Sequence, residues 1–155
     1  MQVSEVELEK NIKMLSTNNP HLMVNENSRL FTQSCYIVSN SNHIFIDYPK
    51  FKHSIHSSLH NDYMAHVFYL IYECLTYYSS YEIHVNMQSF SITAAQRYKD
   101  VIYVFIQKLT NTPDLMNKLT KLCLYQTSKM MDGIIQLFSG FVSDDQMKGK
   151  LLIIQ

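Results

Sequence analysis

At 155 residues the chain has room for one domain of ordinary size and a short appendage, and 46% hydrophobic residues supply a core without metal or disulfide staples. Thirteen basic residues balance thirteen acidic ones, so no long-range field gathers nucleic acid, and contact with a membrane is expected to be peripheral at most. The three glycines, Gly133, Gly140 and Gly149, all follow residue 130, which leaves no place for a G-x-G-x-x-G or G-x-x-x-x-G-K-[ST] phosphate loop.

Residues 3–15 set Val3, Val6, Leu8, Ile12 and Leu15 among glutamates and lysines, the spacing of a short amphipathic helix, which Pro20 in STNNP prevents from continuing. This acidic start has neither the basic nor the apolar region of a signal peptide. The longest apolar run, 67–72, is far shorter than the roughly 20 residues of a membrane span. Cys35, Cys74 and Cys123 are odd in number, far apart and set in apolar segments, as expected of buried thiols in a reducing compartment. An intracellular, cytoplasmic protein is expected.

Runs rich in aromatic and β-branched residues at 31–38 and 43–48, joined by Ser39-Asn40-Ser41-Asn42, predict a hairpin that Pro49 closes, since asparagine tolerates the positive φ of tight turns. Met64, Val67, Phe68, Ile71, Leu75 and Tyr78 predict a buried helix over 61–79, with Asn61 or Asp62 as its cap. Ile83, Val85 and Met87 alternate with Glu82, His84 and Asn86, the period of a strand. Tyr98, Val101, Ile102, Phe105, Ile106 and Leu109 form the clearest helical stripe, opened by Ser91 or Thr93 and closed before Thr112-Pro113.

A strand over 119–125, a helix over 130–142 and a closing strand over 151–154 complete the order. Alternating strands and helices imply an α/β fold: a mainly parallel or mixed sheet of about five strands with helices over its faces. Residues 1–29 read as an N-terminal helix and linker, and 30–155 as the domain.

No catalytic machinery is legible. His53, His56 and His60 in HSIHSSLH would share one face of a helix and can be drawn as zinc ligands, but the favoured reading is a polar, serine-rich segment with solvated histidines, and neither metal nor cofactor is expected. Cys74 and Cys123 have no positive neighbour in sequence to activate them, and Asp144-Asp145 sits in a polar connection. Lys118, Lys121, Lys129, Lys148 and Lys150 make the carboxy-terminal third basic, so Lys118, Lys121 and Lys150 are candidates to hold a phosphate or lipid headgroup, or else form a solvated face. Met130, Met131, Ile134, Ile135, Phe138 and Phe141 give the 130–142 helix a wide apolar arc, interrupted by Gly133 and Gly140. Such a helix suits either plain core or a movable cover over an apolar pocket, because methionine adapts its shape and glycine permits close approach.

Taken with this order, IHVNMQSFS at 83–91, TPDLMNKLTKLCLYQTS at 112–128 and MMDGIIQLFSGFVSDDQMKGKLLII at 130–154 resemble the CRAL-TRIO lipid-binding family, in a truncated form of its divergent BCH branch. In the first string Asn86 and Ser89 stand where the family has Asp and Gly. The resemblance spans roughly residues 31–154. It implies a sheet flooring an apolar pocket, a gate formed by 130–142, and a lysine at position 150 that meets inositol phosphate in phosphatidylinositol-transfer members, whose acidic partner falls near Asn117. The expected function is a non-enzymatic module that binds a small lipid or other hydrophobic ligand. The alternative is a ligand-free interaction or structural subunit, with a protein partner or a second copy, using the same fold in a larger assembly.

Overall fold

A computed structural model describes residues 27–129, 131–137, 147 and 149–154; the helix expected over 3–15 lies outside them. The hairpin forms as β1 (Cys35–Ile37) and β2 (His43–Asp47), antiparallel, with Asn40 in the connection at φ 56°. Phe31 does not open the first strand. It ends a single helical turn, α1 (Ser28–Phe31), and its fully buried ring meets Tyr63 edge-on and His66 at a tilt.

Pro49 starts an element where it was expected only to close one. Asp47 accepts a hydrogen bond from the Lys50 amide and so caps α2 (Tyr48–Ser54), and proline in a first helical turn forfeits no internal bond. A 3-10 turn, Ser57–Leu59, is capped by the His56 ring and leads straight into α3 (His60–Tyr77). That turn carries the chain into the helix, so α3 begins before Asn61 and Asp62, and neither caps it.

After β3 (Tyr81–Asn86), Ser91 caps α4 (Ile92–Arg97) by accepting from the Ala94 amide at 3.1 Å. The single helix expected here is broken at Tyr98, whose non-helical ψ of 11° separates α4 from α5 (Lys99–Thr110). There its ring packs against Tyr48, Phe51 and His60. Pro113 then opens α6 (Pro113–Lys118), followed by β4 (Leu119–Tyr125), α7 (Met131–Leu137) and β5 (Leu151–Ile154).

The five strands stand in the sheet in chain order, β1 to β5, with only β1 antiparallel. Every parallel crossover therefore moves the same way across the sheet. Right-handed connections then place the described crossover helices on one face of the sheet, and the expected α/β fold with a mixed five-stranded sheet flanked by helices is observed. Toward the helices the sheet presents a row in register, Ile44, Ile83, Leu122 and Leu151. Ile44 and Ile83 are wholly buried, each worth about 1.5–3 kcal/mol over exposure. The other face carries His43, Phe45, Glu82, His84, Asn86, Lys121 and Tyr125, and no described helix lies over it.

α3 is buried over most of its circumference because it lies against β1, β2 and β3 below and touches α5 and α1 at its sides. Among the described residues no helix is long and apolar enough to cross a membrane.

Candidate functional site: an apolar cavity beside helix α7

Between the sheet and the helices lies a cavity of about 270 Å³. Its floor is Ile46, Ile83, Val85, Leu122, Leu124 and Leu151, the helix-facing residues of four strands. α3 contributes Met64 and Val67, and α5 contributes Val101, Ile102, Phe105 and Ile106. α7 supplies Met131, Ile134 and Ile135, and Met147 precedes the last strand. Among the described residues no charged group lines the space.

The cavity exists because α5 stands over the sheet without filling the gap. Its apolar stripe is complete, yet among its residues only Ile106 and Leu109 are fully buried, while Val101, Ile102 and Phe105 remain half-buried. α7 packs against α4, and a methyl group at Gly133 would meet Ile92 Cδ1 at an ordinary 3.5 Å.

One end is aromatic. Tyr48 meets Phe90 edge-on at 4.9 Å and Tyr98 at 6.0 Å, while Phe51 packs on Tyr63 at 4.8 Å. Tyr63 pairs its hydroxyl with Ser34 Oγ at 2.9 Å, and burial with the nearby Cys35 raises its pKa well above the usual range. Tyr48 differs. Only 5% of it is exposed, yet its buried hydroxyl has no hydrogen-bond partner among the described residues. Burial and the neighbouring Tyr98 raise its pKa, against the opposing charge of Arg97, so it stays a neutral donor beside the cavity. A buried donor left unmatched costs about 1–3 kcal/mol, a penalty that a ligand oxygen would remove.

Of the expected gate residues, Met131, Ile134 and Ile135 line the cavity, with Met131 and Ile134 fully buried. Met130, Phe138 and Phe141 lie outside the described residues. None of the three candidate headgroup lysines lines the cavity. Lys118 is exposed at the end of α6, and Lys121 is exposed on the opposite face of the sheet. Lys150 donates to the Met116 carbonyl, inside the last turn of α6, where a cation complements the helix dipole.

The histidines of HSIHSSLH do not converge as ligands. His56 caps the 3-10 turn, His60 stacks on Phe51 at 5.5 Å, and no metal-sized group among the described residues includes them. Burial, with His56 adding to it, lowers the pKa of His60. All three cysteines are buried free thiols. Sequence reasoning missed Tyr48 and the α5 wall, because a helical stripe looks the same whether it fills a core or borders a void. Comparison with family models, with curated proteins and with solved structures gives no match for this chain.

Proposed function

We propose that the chain is a non-enzymatic binding module for a small lipid or other apolar ligand that carries one polar oxygen. The observation that carries the reading is the cavity, which has no charged lining among the described residues and whose aromatic end includes Tyr48, with its unpartnered buried hydroxyl. An apolar cavity of about 150 Å³ stays dry and takes up benzene. On that scale 270 Å³ accommodates roughly ten carbons. At about 0.8 kcal/mol per buried methylene, such a chain supplies about 8 kcal/mol before the cost of association, so micromolar to millimolar affinity is expected.

In this reading α7 is the gate, as the CRAL-TRIO resemblance implies. A further support is Ser89, which takes φ 63° at the place where that family has glycine. The ligand differs from a phosphoinositide, since among the described residues no lysine lines the space. Recognition would rest on chain length and on one hydrogen bond from Tyr48.

The test is extraction and native mass spectrometry of the purified chain, followed by titration with a fluorescent medium-chain fatty acid. One ligand per chain is expected. Val85→Phe, which fills the space, should abolish uptake while leaving the fold intact, and Tyr48→Phe should weaken binding by roughly two- to tenfold, the worth of one hydrogen bond. Uptake unaffected by Val85→Phe would refute the reading.

A second reading, an interaction subunit, is favoured by Leu152, Ile153 and Ile154 on edge strand β5, each more than a third exposed. Light scattering separates the two: a ligand-loaded monomer supports the first, and a ligand-free oligomer the second.

A further inference from the structure

On the sheet face away from the cavity, two imidazoles and a carboxylate converge. Parallel register places His43 of β2 beside Glu82 of β3, and His84 follows Glu82 by two residues, on the same face. Glu82 Oε1 lies 2.9 Å from His84 Nε2 and 3.3 Å from His43 Nε2, and the three ligand atoms all fall within 4.8 Å of one another. The two imidazole rings are 4.7 Å apart.

From this geometry we propose that His43, Glu82 and His84 form a binding site for a divalent transition-metal ion, with Zn²⁺ as the representative cation. With metal bonds of about 2.0–2.1 Å, tetrahedral ligand atoms stand roughly 3.3 Å apart, so the two spans to Glu82 already match the edges of such a site. Two imidazole nitrogens and one carboxylate oxygen are a donor set for zinc or ferrous iron, not for calcium or magnesium.

An outer partner is in place. The Tyr125 hydroxyl of β4 is 2.6 Å from His84 Nδ1, and its ring stacks on the imidazole at 18°. A hydroxyl both donates and accepts. Without an ion it can donate to Nδ1 while Nε2–H bonds Glu82; with an ion bound at Nε2, it accepts from Nδ1–H. Either tautomer of His84 is satisfied, and the ring stays aimed at the site.

The backbone adds rigidity. The Glu82 amide bonds the Asn42 carbonyl at 2.9 Å, and the Asn42 side chain donates to the Ser80 carbonyl at 3.1 Å. These bonds lock the approach to β2 against the approach to β3, which holds His43 beside Glu82. Three protein ligands leave a fourth position, over a depression lined by Val38, Phe45, Asn86 and Tyr125, for water or a small oxyanion. The neighbouring cation is exposed Lys121, in register beside Glu82 on β4, and its charge opposes the ion.

The test is calorimetric titration of the chelator-treated full chain with ZnCl₂, followed by Co²⁺ substitution read by visible absorption. We expect one ion per chain and the absorption of a four-coordinate site. Glu82→Gln or His84→Ala should weaken binding more than about 100-fold, Tyr125→Phe about tenfold, and Lys121→Gln should tighten it. Should His84→Ala fail to fold, His43→Gln, whose side chain is 40% exposed, removes a ligand with little structural cost. Absence of saturable binding overturns the proposal. So does binding that survives His43→Gln and Glu82→Gln together, or that is lost on His53→Gln with His56→Gln, or on Cys123→Ser. Because the site and the cavity lie on opposite faces of the sheet, Val85→Phe should leave Zn²⁺ binding unchanged.

Discussion

Ser89 holds a left-handed backbone at φ 63° with its side chain exposed, so its Cβ brings strain and no contact that offsets it. The turn around it is otherwise well bonded: Asn86 Oδ1 accepts from the Gln88 amide, and the Phe90 amide bonds the Met87 carbonyl. The left-handed region costs an L-residue about 1–2 kcal/mol, part of which glycine returns through its freer unfolded chain. Ser89→Gly should therefore stabilise the protein by up to about 1 kcal/mol, measured by urea unfolding. A loss of stability would show that the Ser89 hydroxyl matters more than its backbone. Tyr48 is the contrasting residue, where the cost lies in an unmatched hydroxyl that, under the proposed function, a ligand oxygen would satisfy.

At the scale of elements, α3 buries a titratable ring. His66 is 4% exposed, and its Nε2 donates to the Cys35 carbonyl at 3.1 Å. Burial lowers its pKa from 6.5 to about 4, against the opposing effect of that hydrogen bond. The unfolded chain takes up the proton near pH 6.5 and the folded chain only near 4, so acid favours unfolding between them. This contribution is fully present above pH 6.5 and is lost as pH falls to about 4, a total of roughly 3 kcal/mol. His66→Gln keeps a donor toward Cys35 and does not titrate. Denaturant unfolding at a series of pH values should show a flatter profile for the variant across that window. Equal slopes for the two proteins would mean that His66 is not the group responsible.

At the scale of the whole molecule, the thiols report on both faces of the sheet. Cys35 and Cys74 belong to the core between the sheet and α3, and Cys123 is buried on the face opposite. Burial pushes the Cys74 thiol up to about 12, with the adjacent Glu73 adding to the shift, and pushes Cys35 higher still. Thiolate, not thiol, is the reactive form. Because all three are buried, an aromatic disulfide reagent should label none of them in the folded protein and all three together as denaturant unfolds the chain. Early labelling of Cys123 alone would show that the two faces of the sheet open separately.

What the residues settle alone is local. Asn40 marked the β1–β2 turn, the period-two pattern of residues 82–87 marked a strand, and Met131, Ile134 and Ile135 marked a helix, described over Met131–Leu137. These signals survive because they depend on neighbours within a few residues. Sequence spacing alone did not show that Tyr98 would break a helix in order to pack on Tyr48 and Phe51, or that Lys150 would be spent on the Met116 carbonyl. Those partners come from other elements. The two candidate sites sit at the far end of that scale. The cavity is space left when α5 and α7 are set over four strands, and periodicity describes which face is apolar but not whether it touches anything. His43 and Glu82 are 39 positions apart in the chain and become neighbours only through the parallel register of β2 and β3. Composition and periodicity determined an α/β chain and its apolar faces; strand order and register, which follow from how whole elements pack, decided where a void and a convergent ligand set arise.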